Sequence, residues 1–329
     1  MGAAVGRGAR PARLTPAPGG SDSRTILSGI DVTDIQLCDV GPRDGLQNEA
    51  KALSPELRAE LCVRLVDAGL RRVEAVSFVR EDRVPQMAGA ADVLRALDGR
   101  VGGADVSALV LNPRGLELAL ATGVRTVHVA VMATDGMARA NVNRSRDENA
   151  AAVAQLIARA VAEGATVAGT VSVAFGCPFE GDVDPGVVDD LLGRMAEAGA
   201  AELVLADTIG IAVPSQVRGG VERAGAHGRP VGVHLHDTRN TGVANALAAL
   251  EAGATLFEAS VGGAGGCPFA PGATGNVATE DLAWVLEREG VSTGVDVEAV
   301  VAVAHWLEAH LERELPGALS RPGCTPAAV

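Results

Sequence analysis

Eight short β-rich runs, each followed by an Ala/Leu-rich segment of helical period, recur through most of this 329-residue chain, and that alternation restricts the fold more than any other feature. The runs are residues 34–40, 72–78, 105–111, 126–132, 166–174, 202–207, 231–236 and 255–261. Clear helical segments lie at 55–68, 114–121, 147–162, 185–198, 242–252 and 279–289. Several of them stop on a glycine just past the last turn, at Gly69, Gly164, Gly199, Gly253 and Gly290. Alternation over about 250 residues predicts an α/β fold, a (β/α)8 TIM barrel, with an additional C-terminal helical segment at 297–315. An open doubly wound sheet fits less well, because no Gly-x-Gly-x-x-Gly turn follows the first run. The barrel with its last helix would occupy 31–316, flanked by a disordered tail at 1–30 and a flexible one at 317–329. The first thirty residues are rich in Gly, Ala, Pro and Arg, a composition open to reading as a transit peptide, but no amphipathic stripe accompanies it.

Composition narrows the functions available to such a barrel. Apolar residues make up 47% of the chain and aromatics 2%, so the core must be built from Ala, Val and Leu. A formal charge of -13 argues against nucleic acid or an anionic membrane surface as the partner, and no apolar run reaches spanning length. Five cysteines, at 38, 62, 177, 267 and 324, form no CxxC pair, which fits a reduced cytoplasmic setting. The single lysine, Lys51, falls in a polar loop, which counts against a Schiff-base aldolase as the chemistry.

In a TIM barrel the chemistry sits at the C-terminal ends of the strands, and the unusual residues fall there. Arg43, Asp44 and Gln47 follow the first run, Glu74 lies on the second, Asp207 ends the sixth, and His234 and His236 end the seventh. The eighth leads into a glycine-rich loop, 259–276, with two prolines, the thiol of Cys267 and the amide of Asn276. His234 and His236 are two apart on a strand, so both side chains point one way. With Asp44 and Asn276 they make a set of two nitrogens and two oxygens, suited to Mg²⁺ or Mn²⁺ more than to Zn²⁺. Arg43 places a fixed cation beside that set, where it can stabilise a developing oxyanion, with Glu74 or Asp207 available to hold it. Cys267, among backbone N–H groups, is either a proton carrier or a small buried thiol. Arg139, Arg144 and Arg146, in the loop after the fourth run, read as a solvated basic loop. Cys38 and Cys62 read as core, Cys177 as a loop thiol without a partner, and His128, His305 and His310 as structural, lacking acidic companions.

Several of these segments together resemble the 3-hydroxy-3-methylglutaryl-CoA (HMG-CoA) lyases, within the wider group of metal-dependent TIM-barrel lyases and acyltransferases. The matching stretches are Gly-Pro-Arg-Asp-Gly-Leu-Gln-Asn-Glu at 41–49, Ser77-Phe78-Val79, Val84-Pro85-Gln86-Met87, Ala206-Asp207-Thr208-Ile209-Gly210, His234-Leu235-His236, and the cysteine loop continuing into Ala-Thr-Glu-Asp-Leu at 262–282. The resemblance implies an enzyme that binds a divalent metal through Asp44, His234, His236 and Asn276. It would cleave HMG-CoA to acetyl-CoA and acetoacetate in leucine degradation. Arg43 would stabilise the enolate, Cys267 would assist proton transfer, and Glu74 and Asp207 would support the site. Substrate contacts would come from Arg43, Gln47, Asn141, Asn143 and Arg239, and a homodimer or higher homo-oligomer is expected. Two stretches depart from the family pattern. Arg239-Asn240-Thr241 stands where Tyr-Gly-Gln is usual, and Met132-Ala133-Thr134-Asp135 where Ser-Ala-Ser-Glu is usual, although Asn141 and Asn143 match. Both border the substrate mouth, so a related 3-hydroxy-3-substituted acyl-CoA is an alternative substrate. A bond-forming, acetyl-CoA-using synthase of the wider group is the other alternative; the cysteine loop and the lack of a long C-terminal domain count against it.

Overall fold

The computed structural model describes residues 35–266 and 275–321. Eight parallel strands close into a barrel: β1 (Gln36–Asp39), β2 (Arg72–Ser77), β3 (Asp105–Leu109), β4 (Thr126–Met132), β5 (Thr166–Ser172), β8 (Glu202–Asp207), β9 (Val231–Leu235) and β10 (Leu256–Ala259). A two-stranded antiparallel hairpin, β6 (Gly176–Cys177) and β7 (Gly181–Asp182), follows β5 outside the barrel. Closure is made by β1, which pairs with β10 on one side and β2 on the other. The ends of β9, β10, β1 and β2 are therefore consecutive around one wall. The strands are rich in Val, Leu and Ala and almost wholly buried, as a sheet covered on both faces requires. Around them run α1 (Pro55–Asp67), α2 (Ala90–Leu97), α3 (Pro113–Ala121), α4 (Asp135–Val142), α5 (Arg146–Ala162), α6 (Pro185–Glu197), α7 (Pro214–Gly225), α8 (Gly242–Glu251), α9 (Thr279–Arg288) and α10 (Val297–Leu311).

Three helices lie where periodicity gave no clear segment. α2 is only eight residues long, and α7 carries Gly219 and Gly220 in its middle. Gly220 is there for space, since a Cβ would come within 3.1 Å of Phe175 and 3.2 Å of Leu205. α4 occupies the segment read as a basic loop; it starts at the Thr134 cap and ends at Asn143, in the left-handed conformation with φ 53. The fifth strand ends two residues early because Val173 turns to φ 52. The terminal helix stops at Leu311, because Glu312 is left-handed (φ 59).

Residues 317–321 do not begin a loose tail. Gly317 N–H donates to Gly262 O at 2.8 Å, and the N–H groups of Ala318 and Leu319 donate to the Asp281 carboxylate at 2.7 and 2.8 Å. His305, on α10, contacts Ser320 O through Nε2 at 2.6 Å. Among the described residues no helix is long and apolar enough to cross a membrane. Tail 1–30, Cys267 and Cys324 lie outside the described residues.

Candidate metal and substrate site

The sequence Gly41-Pro42-Arg43-Asp44-Gly45 leaves β1 in a wide π-helical turn, in which Val40 O accepts from the N–H groups of Arg43, Asp44 and Gly45. That turn throws the side chains of Arg43 and Asp44 over the barrel mouth. Gly41 and Gly45 are required by space, since added Cβ atoms would lie 2.7 Å from Asp39 Oδ1 and 2.8 Å from Ser260 Oγ. On the other side of the closure, Asn276 bridges back to His236, and Asp237 N–H donates to Gly275 O. The glycine-rich loop thereby returns its amide to the end of β9.

Asp44, His234 and His236 converge. The two Nε2 atoms are 3.2 Å apart, and each lies 3.9 or 4.0 Å from Asp44 Oδ2. A point equidistant from the corners of such a triangle is roughly 2.2 Å from each, the length of a bond from a divalent cation to nitrogen or oxygen. Asn276 Nδ2 donates to Asp44 Oδ2 at 2.9 Å, while its Oδ1 is buried with no hydrogen-bond partner. Two imidazoles, a carboxylate and an unpaired amide oxygen fit a hard or borderline divalent cation.

The electrostatics give this point an ionised carboxylate beside one neutral imidazole. Burial alone would raise the Asp44 carboxyl, but Arg43 and both histidines hold it down, to about 2. Burial and the neighbouring His234 push His236 down to about 4, keeping it the neutral imidazole that a ligand must be. For His234, burial is outweighed by Glu258 and Asp44, so its pKa is raised. A proton and a metal ion would compete for its Nε2.

Arg43 is nine-tenths buried and clamped at both ends of its guanidinium. Nε donates to Glu74 Oε2 at 2.7 Å and Nη1 to Asp44 Oδ1 at 2.6 Å. A cavity of about 740 Å³ opens above, within the range of small-molecule sites. Arg43, Gln47, Asn141 and Asn143 all line it, as do Met132 and Arg144. Arg239 does not: its Nη1 is spent on Ile209 O and Gly210 O, at 3.1 and 2.8 Å. Asp207 also faces backbone, accepting from the N–H groups of Ile211 and Ala212 at 2.9 and 3.0 Å. Arg239 and Asp207 thus brace the loop after β8, and neither reaches the cluster. Cys177, expected to lack a partner, lies 3.0 Å from the Thr134 hydroxyl.

Sequence reasoning missed Glu258 and misjudged His128. Glu258 Oε2 lies 2.9 Å from His234 Nδ1, and its Oε1 lies 3.4 Å from His128 Nδ1. His128 therefore does have acidic companions, brought to it by closure of the barrel. The one signal in the sequence was Glu258 itself, an acid inside an apolar run, which is seldom buried without a partner.

The fold and this cluster define a TIM barrel with a candidate metal site at its mouth and an arginine beside it. The profile of the HMGL-like family matches residues 34–307, and the chain belongs to that family of lyases. It is 43% identical over 301 residues to (R)-citramalyl-CoA lyase of Chloroflexus aurantiacus, covering 88% of this chain and 95% of the relative. It is also 43% identical over 280 residues to hydroxymethylglutaryl-CoA lyase of Pseudomonas mevalonii, covering 84% and 92%. The structure of an HMG-CoA lyase from Acinetobacter baumannii in complex with coenzyme A and 3-methylmalate superposes with a TM-score of 0.84 at 31% identity, covering 90% of this chain and 97% of that one.

Proposed function

We propose that the chain is a divalent-metal-dependent carbon–carbon lyase that cleaves HMG-CoA to acetyl-CoA and acetoacetate. The observation that carries the reading is the contact of Arg43 with Asp44, which sets a fixed cation against a carboxylate–imidazole cluster at the base of a substrate-sized cavity. Mg²⁺ or Mn²⁺, held by Asp44, His234, His236 and Asn276, would supply a Lewis acid toward the substrate's tertiary hydroxyl and an adjacent oxygen. The hydroxyl gives up its proton to a base, C2–C3 breaks, and C3 becomes the ketone. The electron pair stays on C2, with charge passing to the thioester oxygen. Arg43, held by Glu74, donates to that oxygen as its charge grows and costs no reorganisation when it does so. Protonation of C2 completes acetyl-CoA, and Cys267 is the proposed proton carrier.

Two features favour a second reading, a relative of HMG-CoA with a different acid arm. Met132 puts a buried thioether on the cavity wall, where a serine would have offered a donor and left more room. One of the relatives at 43% identity is a citramalyl-CoA lyase. Metal-stripped protein should therefore be given HMG-CoA and (R)-citramalyl-CoA in parallel, with and without Mg²⁺ or Mn²⁺, and the released oxo acid measured. Faster metal-dependent cleavage of HMG-CoA supports the first reading and faster cleavage of citramalyl-CoA the second. Cleavage of neither refutes the function.

A further inference from the structure

The inward face of β4 presents His128, Ala130 and Met132 to the cavity, and His128 is the deepest buried polar group on that strand, 2% exposed. Its Nδ1 stands between two buried carboxylates, 3.4 Å from Glu258 Oε1 and 3.9 Å from Glu74 Oε1. The second oxygen of each is already engaged. Glu74 Oε2 holds Arg43 Nε at 2.7 Å, and Glu258 Oε2 meets His234 Nδ1 at 2.9 Å. One imidazole thus sits between the arm that ends on the arginine and the arm that ends on the candidate metal ligand. The two arms differ in one respect. Glu74 has a guanidinium to fix it, whereas the charge contacts of Glu258 among the described residues are imidazoles, His128 and His234.

That difference matters for His234. A neutral imidazole carries its proton on one nitrogen, and the partner of the other decides which. With Glu258 accepting from Nδ1–H, Nε2 is left with its lone pair toward Asp44 and His236. With Glu258 turned away, either nitrogen can keep the proton, and the tautomer that keeps it on Nε2 cannot ligate there.

We propose that His128 is a positioning residue of the metal centre: by its contact with Glu258 it holds that carboxylate on His234 Nδ1 and so fixes the tautomer that frees His234 Nε2. The proposal rests on the metal reading for its consequence, but the tautomer itself is a property of the metal-free protein. The two can therefore fail separately.

The chain has six histidines, few enough to follow by nitrogen-15 spectroscopy of the labelled, metal-free full-length protein. At mildly alkaline pH the ring signal that disappears in His234→Ala should show protonation at Nδ1. In His128→Leu, which keeps the bulk and removes the donor, that signal should shift toward a mixture of tautomers. Mn²⁺ affinity, read from the free-ion paramagnetic signal, should fall by about 10-fold or more. His128→Gln, which restores a donor, should recover most of the loss. The His128→Leu/Glu258→Gln double variant should bind Mn²⁺ no more weakly than Glu258→Gln alone, because His128 acts through that carboxylate. An unchanged His234 signal with Mn²⁺ affinity within about twofold of wild type would make His128 merely structural and overturn the proposal. Additive losses in the double variant would overturn the route through Glu258. A shifted tautomer in a protein whose wild type binds no Mn²⁺ would sink the metal reading and leave the positioning contact standing. If His128→Leu does not fold, His128→Met, which also lacks a donor, carries the same comparisons, alone and combined with Glu258→Gln.

Discussion

Arg43 and Asp44 are adjacent in sequence and have separable roles. Arg43→Met removes the proposed donor to the thioester oxygen but leaves all four candidate ligands in place. We expect kcat/KM to fall by about 10²–10³ with Mn²⁺ affinity changed by only a few-fold; cleavage at near wild-type rate would refute the enolate role. Asp44→Asn should do the reverse first. It removes the one carboxylate of the cluster, held ionised at about 2 by Arg43 and the histidines against burial, so metal affinity should drop before any effect on chemistry is measured. Unchanged affinity on Mn²⁺ titration would sink the ligand assignment. These residues were legible in the sequence because each is an unusual type at a strand end, and strand ends are where a barrel gathers its chemistry. His128 and Glu258 were not. Each sits inside an apolar run on its own strand, and their proximity is created by barrel closure, which no local spacing encodes.

Helix stops show why the elements were largely readable. A glycine after a helix reads as a stop because left-handed backbone strains any other residue, and Gly69 (φ 99) and Gly253 (φ 94) both have it. They differ in surroundings. A Cβ on Gly69 would lie 2.3 Å from the backbone oxygen of Gly294, whereas one on Gly253 would meet nothing within 4 Å. Gly253→Ala should therefore cost about 1 kcal/mol, the backbone strain alone, and Gly69→Ala clearly more, because the loop before α10 must also move. Denaturant midpoints of the two variants compare them directly, and equal losses would show that the Gly294 contact is soft. What stayed hidden follows the same physics. α7 needs Gly220 for close packing against Phe175 and Leu205, and that tertiary requirement overrides helix propensity and erased the signal. α4 is one short helix whose caps, Thr134 and Asn143, resemble loop residues when read alone.

At the scale of the whole barrel, two buried acids beneath the site bear on its response to pH. Asp39, at the end of β1, accepts from Gly41 N–H and from the Thr279 hydroxyl, both at 2.7 Å. Glu280, at the start of α9, accepts from Gly262 N–H at 2.9 Å, and its other oxygen is buried without a partner. Burial raises Asp39 to about 7 and Glu280 to about 8, despite the hydrogen bonds each accepts. Such groups bind more protons folded than unfolded once pH exceeds their ordinary carboxylate range, so stability must fall as pH climbs toward their folded values. This is opposite to Asp44, whose depressed value makes a contribution that is lost only in acid. Together Asp39 and Glu280 join β1, α9, the turn at Gly262 and, through Gly317, the segment after α10, so ionising them loads one seam of the barrel. Thermal midpoints of the metal-free protein should decline from about pH 4 to about pH 8 and level off above that. Glu280→Gln, neutral at every pH, should make that decline shallower throughout and end it near pH 7, where Asp39 alone is left to ionise. A variant whose decline is as steep and reaches as far as that of wild type would show that Glu280 is ionised throughout and that the seam tolerates its charge.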